Sequence, residues 1–375
     1  QCRKREYNFS YQAMESSNDS NQNQNESSSP MDTIEIPLQG GNTSIISLQN
    51  LPHDHGHSHD HKGQDCKCDE SKEQQKIVLP GDLVDLNPDL DYLYVVGTQG
   101  QKVNKIAGLE NLVKCEDLTL RSCLVTKMEG LGHMTQLTRL ELYDNQIEAL
   151  EDIAELTQLR ILDMSFNMIR SMEPVTPLHL LEELYLAQNK IRDITGLGQL
   201  TNLKKLDLGA NRIRVLRELS NLVNLQELWM GKNKIEVIQG LETLRKLKRL
   251  DLQSNRITQI QGLESLSDLT ELYLANNQIT TPQNLESQTN LNTLDLSSNQ
   301  LVNVEGICCL TSLEELWMSS NQIARFEDVA PLTTLTNLDC IYLEHNPLQS
   351  DFEYRKRLAQ MFPSLTQIDA TAVAR

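Results

Sequence analysis

No run of about 18 apolar residues, the length a membrane-spanning helix needs, occurs in the 375-residue chain, so no membrane span is expected. No secretory-signal pattern opens it. The first residue is Gln1, with Met14 and Met31 as later candidate starts, so no targeting argument rests on that end. Cations are in short supply: 34 Lys and Arg stand against 52 Asp and Glu, a net charge of −18. Residues 1–76 hold 7 basic and 12 acidic side chains, and 77–375 hold 27 and 40. Phosphate contacts need cations, so no nucleic acid is expected as a partner. The balance suits a protein partner with a basic surface, or simply keeps the chain in solution. The eight cysteines return at no fixed place, so they form no disulfide framework and read as reduced thiols of a cytosolic or nuclear protein. Catalytic groupings are missing too. His133, His179 and His345 are scattered, and no Ser/His/Asp or Cys/His set can be placed on one surface. Neither catalysis nor a cofactor is expected.

What is present divides at about Ile77. Residues 1–76 are rich in Ser, Asn, Gln, Asp and His, and a stretch such as SSNDSNQNQNESSSP cannot bury a core. A disordered tail is expected, with TIEIPLQ and SIISLQNLP as short apolar pieces within a linker. The tract HDHGHSHDHKGQDCKC places His53, His55, His57, His59 and His61 at alternate positions, followed by Cys66 and Cys68. Imidazole and thiolate bind zinc, nickel or copper, which makes these the weak metal candidates of the chain. An unstructured tract lacks the surrounding groups that would select one metal.

Beyond Ile77 the chain repeats. Asparagines stand at 145, 167, 189, 211, 233, 255, 277, 299 and 321, every step 22 residues. Counting back one step gives Cys123, and Asn346 follows 25 residues after Asn321. An irregular copy covers LVDLNPDLDYLYVVGTQGQKVNKIAGL. Within each repeat, leucines two apart signal a strand, as at Leu140 and Leu142. Apolar residues at steps of three follow (Ile147, Leu150, Ile153, Leu156, Leu159), matching 3₁₀ turns better than an α-helix. Such a unit cannot bury its own apolar side, but stacked copies can. The expected fold is an α/β repeat solenoid of about eleven or twelve 22-residue turns, with a parallel concave sheet and 3₁₀-like convex turns. The array should occupy residues 77–337, with the last repeat and a C-terminal cap at 338–375. In the cap, Phe352, Tyr354, Leu358, Met361 and Phe362 should form the apolar side of a short helix, and Arg355, Lys356 and Arg357 its solvated side. The asparagines should pair backbone groups in the turns of their own and the adjacent repeat.

The residue between the paired leucines should face the concave surface. In order it is Thr119, Glu141, Asp163, Tyr185, Asp207, Trp229, Asp251, Tyr273, Asp295, Trp317 and Tyr342; from Tyr185 to Trp317 aromatic and acidic residues alternate. Only 4% of the chain is aromatic, yet both tryptophans fall in this row. Exposed collinear aromatics are what protein interfaces enrich, and a row of roughly 50 Å at strand spacing suits a folded partner.

The unbroken period, strand cores such as LELYDNQI, LDMSFNMI and LWMGKNKI, and the ending YLEHNPLQSDFEYRKRLAQMFPSLTQIDAT resemble the leucine-rich-repeat regulatory subunits of type-1 protein phosphatase over residues 85–375. The resemblance implies a non-catalytic regulator. It implies binding to the phosphatase catalytic subunit through Asp163, Tyr185, Asp207, Trp229, Asp295, Glu315, Trp317 and Tyr342. It also implies a further inhibitory subunit in some complexes, and a place in nucleus and cytoplasm. Tyr185 and Trp229 stand where the family carries phenylalanine, which alters size and adds a polar group. The alternative reading is a leucine-rich-repeat adaptor in a ribonucleoprotein or cytoskeletal complex.

Overall fold

The computed structural model describes residues 88–97, 106 and 109–373, together with the backbone of two strands near the start, β1 (Thr33–Pro37) and β2 (Thr43–Ser47). The chain divides into two units, 3–78 and 79–375, with the first two residues grouped with the latter. In the first unit β1 and β2 pair antiparallel, so the two apolar pieces of the N-terminal region meet as a hairpin. The His53–Cys68 metal candidates lie outside the described residues.

The second unit is a 14-stranded sheet whose strands lie in chain order. It runs through β3 (Tyr92–Val96), β4 (Asp117–Arg121), β5 (Arg139–Glu141), β6 (Ile161–Asp163), β7 (Glu183–Tyr185) and β8 (Lys205–Asp207). It continues with β9 (Glu227–Trp229), β10 (Arg249–Asp251), β11 (Glu271–Tyr273), β12 (Thr293–Asp295), β13 (Glu315–Trp317), β14 (Cys340–Tyr342), β15 (Gln367–Ile368) and β16 (Thr371–Ala372). Every neighbouring pair is parallel except β15 with β16, which closes the end as an antiparallel edge. Register is exact from turn to turn: Asp207 lies opposite Trp229, and Trp229 opposite Asp251. The solenoid expected from the 22-residue period is the observed fold, and the irregular copy upstream supplies β3.

Opposite the sheet the chain returns through successive tight turns. Leu156 N–H donates to Ile153 O and Leu159 N–H to Leu156 O, each spanning three residues. This is the hydrogen bonding of a 3₁₀ turn, and the step-of-three leucines follow from it. Leucines and isoleucines from both faces of each turn fill the interior, and nearly all are inaccessible to solvent.

The asparagine ladder joins the turns. Asn233 Oδ1 accepts from Ile213 N–H (2.9 Å) in the preceding repeat, while Nδ2 donates to Leu208 O (2.9 Å), Met230 O (3.1 Å) and Gly231 O (3.3 Å). The same set recurs from Asn167 to Asn321. At Cys123 the thiol reaches Arg121 O at 3.1 Å and Val95 O only at 3.9 Å, a weaker version of the same bridge. At the far end the two-residue β15 is too short to accept the Leu343 amide. Asp369 Oδ1 takes it at 2.9 Å, with Glu344 N–H at 3.0 Å, and the buried Tyr354 hydroxyl donates to the same carboxylate.

The cap helix α1 (Tyr354–Met361) buries Tyr354 and Leu358, and Phe362 is buried just beyond it. Two expectations there are corrected. Phe352 is fully exposed, because it sits in the turn before α1 rather than on its inward face. The basic triplet is not simply a solvated face. Arg355 donates to Ile368 O (2.6 Å), Thr371 O (3.2 Å) and Ala372 O (3.3 Å), tying down the closing strands. Arg357 stacks on the Phe326 ring at 3.8 Å and bonds Asp351. Only Lys356 fits the solvated reading, paired with Glu353 at the surface.

One turn breaks the apolar pattern. Gln288 is completely buried where the flanking repeats have Leu266 and Leu310. Its Nε2 donates to Leu263 O at 2.7 Å, but its Oε1 is enclosed without a partner among the described residues. Leu263 O already accepts from Leu266 N–H. Gln288→Leu therefore removes an unsatisfied acceptor without orphaning a carbonyl. It is expected to stabilise the protein by about 1–2 kcal/mol, read as a higher midpoint of thermal unfolding; an unchanged or lower midpoint would contradict this account.

Candidate functional site

Each three-residue strand turns its middle leucine or isoleucine inward and shows its first and third residues on the open face of the sheet. Parallel register then stacks those residues into two columns. The third-residue column is the predicted row from Glu141 to Tyr342, so the sequence places Asp163, Tyr185, Asp207, Trp229, Asp295, Trp317 and Tyr342 on one surface, with Glu315 beside them on β13.

The row is far less exposed than a lone strand surface. Tyr273 and Tyr342 are each 7% accessible and Asp295 8%, while Tyr185, Trp229 and Trp317 are half-buried. Expecting freely exposed side chains here overlooked how closely adjacent turns pack. Trp317 lies between two rings, with centroids 6.2 Å from Tyr273 and 6.1 Å from Tyr342, the latter edge to face. Its Nε1 is buried with no hydrogen-bond partner among the described residues. The Tyr342 hydroxyl accepts from Gln367 Nε2 at 2.7 Å, which joins the cluster to the cap. Near the other end Tyr143 packs on Phe166 at 4.9 Å, with the Arg121 guanidinium over the Tyr143 ring and bonded to Glu141.

The aspartates have local work that their spacing alone does not reveal. Asp163, Asp207, Asp251 and Asp295 each accept the backbone N–H two residues on, at 2.8–2.9 Å. Burial pushes the carboxyls of Asp163 and Asp251 up to about 6; burial, with a smaller push from Asp251 and Asp163, brings that of Asp207 to about 7. The row is thus less negative near neutral pH than a count of carboxylates suggests. A carboxyl whose folded pKa lies above its unfolded value holds more protons when folded, so it favours folding at low pH, and that contribution is lost as pH rises through the folded value. Asp207→Asn keeps the acceptor for Gly209 N–H and removes the titration. The variant is expected to gain thermal stability relative to the parent as pH rises from about 5 to 7.5. Parallel pH profiles of the two proteins would remove Asp207 from this role.

Beyond Glu315, sequence reading missed the first column. Strands β7, β9, β11 and β13 read Glu-Leu-Tyr or Glu-Leu-Trp, while β8 and β10 read Lys-Leu-Asp and Arg-Leu-Asp. Arg249 bridges Glu227 (3.1 Å) and Glu271 (2.8 Å), and Lys205 pairs with Glu183 at 3.2 Å. The Tyr185 and Tyr273 hydroxyls donate to Glu183 and Glu271 at 2.7 and 2.8 Å. The surface therefore has a two-turn period in both columns, and its signal was present in the residues just before each aromatic.

Among the described residues no group of three or more His, Cys, Asp or Glu could hold a metal ion, and no helix is long and apolar enough to cross a membrane.

The family described as leucine-rich repeats (two copies) matches residues 179–287 in four overlapping stretches and 289–331 in a fifth. An internalin of Listeria monocytogenes is similar in structure at 26% identity, with a TM-score of 0.61, over 76% of this chain and 88% of that one. The functional domain of a second Listeria monocytogenes internalin, whose structure includes a cysteine ladder, is 25% identical with a TM-score of 0.58, over 69% of this chain and 54% of that one. A leucine-rich-repeat protein of Leptospira interrogans shares the fold at 23% identity and a TM-score of 0.58, over 75% of this chain and 90% of that one. No significant match was found among curated proteins.

Proposed function

We propose, from the premise that the array is a leucine-rich-repeat solenoid and so a scaffold typical of protein–protein interaction, that the protein is a non-catalytic regulatory subunit of type-1 protein phosphatase. The concave row receives the catalytic subunit. The observation that carries the reading is the aromatic–acidic alternation from Tyr185 to Trp317, held in register on one surface. Trp229 and Trp317 are the anchors, because large aromatics at the centre of an interface supply most of its energy. The intervening aspartates chiefly shape the row, since each is bound to its own backbone. The resemblance of the cap and of the unbroken period supports the same partner, and a nuclear and cytoplasmic location goes with it.

Calorimetric titration of the full chain with purified type-1 catalytic subunit tests this. Saturable one-to-one binding with a Kd below about 1 μM is expected for an interface of ordinary size. No binding, together with capture of ribonucleoprotein or cytoskeletal components from cell extract, would replace this reading with the adaptor.

A further inference from the structure

Where the chain leaves each strand, the residues before and after the ladder asparagine form an edge of the solenoid. Over the five turns from Phe166 to Thr258, the positions one before, one after and three after each asparagine hold eight cations and one carboxylate, Glu236. In a chain of net charge −18 this is a local reversal of sign. Lys190, Arg212, Lys234 and Arg256 occupy the same position on four successive turns, and Arg170, Arg192 and Arg214 another on three.

The backbone beneath them is fixed. Each of Lys190, Arg212, Lys234 and Arg256 donates its N–H at 2.8 Å to the isoleucine carbonyl of the preceding turn. Like charges are therefore held in register, an arrangement that is unfavourable without a counter-charge. Arg256 reaches Glu236 only at 4.0 Å, and the nearby Asp193 is taken by Arg217. The side chains of Arg170, Lys190, Arg192, Arg212, Arg214 and Lys234 make no ion pair among the described residues. Arg170, Arg192, Arg212 and Arg214 are exposed, and Val215 and Val237 lie uncovered beside them at 47% and 45% accessibility.

We propose that this edge is a docking surface for an acidic peptide segment of a protein partner, separate from the concave row. Three observations select that occupant. At turn spacing the cations extend only about 20 Å, which matches a short extended peptide. A nucleic-acid duplex, with a charge about every 1.7 Å, would run off the patch onto acidic surface. The asparagine-flanking positions carrying the cations include no aromatic on which unpaired bases could stack beyond Phe166, which already packs on Tyr143. The exposed valines add apolar contacts that a peptide side chain uses and a phosphate backbone does not.

The test is fluorescence anisotropy of the full chain with a labelled ten-residue peptide of alternating glutamate and valine. A lysine–valine peptide and a labelled DNA duplex serve as comparisons. Expected are binding of the acidic peptide that weakens with added salt, and a loss of about tenfold or more in the triple variant Arg192→Ser, Arg212→Ser, Arg214→Ser. Trp317→Ala should bind the peptide as the parent does, which separates this surface from the phosphatase site. Circular dichroism checks that the triple variant keeps its fold; should it not, Arg192→Lys with Arg214→Ser serves in its place. Absent peptide binding, equal binding by a folded variant, or tighter binding of the duplex than of the peptide would each overturn the proposal.

Discussion

Asn233→Ala is expected to lower stability by about 1–3 kcal/mol, through one group above all. The carbonyls that Asn233 serves have second donors: Leu208 O also accepts from Asn211, Met230 O from Asn255, and Gly231 O from the Ala210 amide. Among the described residues Ile213 N–H has only Asn233 Oδ1. Truncation leaves that buried amide unpaired, and an orphaned donor costs its full desolvation. Gln283→Ala, at an exposed turn on the same array, should change stability by no more than about 0.5 kcal/mol. Calorimetric unfolding of the two variants decides the matter; equal midpoints would mean that the ladder does not bear the load assigned to it.

Trp317→Ala is expected to weaken binding of the type-1 catalytic subunit by about thirtyfold or more, the loss typical of a central aromatic anchor. The packing seen here adds a second effect. Removing the indole takes away ring contacts to Tyr273 and Tyr342, each worth about 0.5–1.5 kcal/mol, so the free protein should also lose about 1–3 kcal/mol. Titration must be done well below the variant's own unfolding temperature, so that the two losses are read separately. Unchanged affinity in the folded variant would move the phosphatase site away from this row. Trp317→Phe, which keeps a ring between the two tyrosines, should recover most of the stability and part of the affinity.

The fold was legible because its determinants are periodic and local. A leucine pair two apart, apolar steps of three and an asparagine every 22 residues each translate into one backbone arrangement, and twelve parallel strands from β3 to β14 follow. The row of candidate contacts was legible for the same reason, since register alone fixes its members. Its burial was not. How far Tyr273 or Asp295 is covered depends on side chains of neighbouring turns, 22 residues away in sequence, and on whether they lean together. The backbone role of the aspartates was hidden because a carboxylate that accepts an amide looks the same in sequence as one awaiting a partner. At the cap, helical spacing identified Tyr354 and Leu358, but Phe352 lies just outside α1, where that spacing no longer applies.

The bonds between turns run in both directions. Asparagine amides and backbone amides such as Arg212 N–H reach back to the turn before, while strand-end amides reach forward, as Leu208 N–H does to Trp229 O. Removing a turn from either side therefore strands buried donors on the one that remains, and orphaned donors are costly. The array is a zip that has to be stopped wherever it ends. Asp369, Tyr354 and Arg355 are the stop after β14, and loosening them would let the turns peel away in sequence from that side.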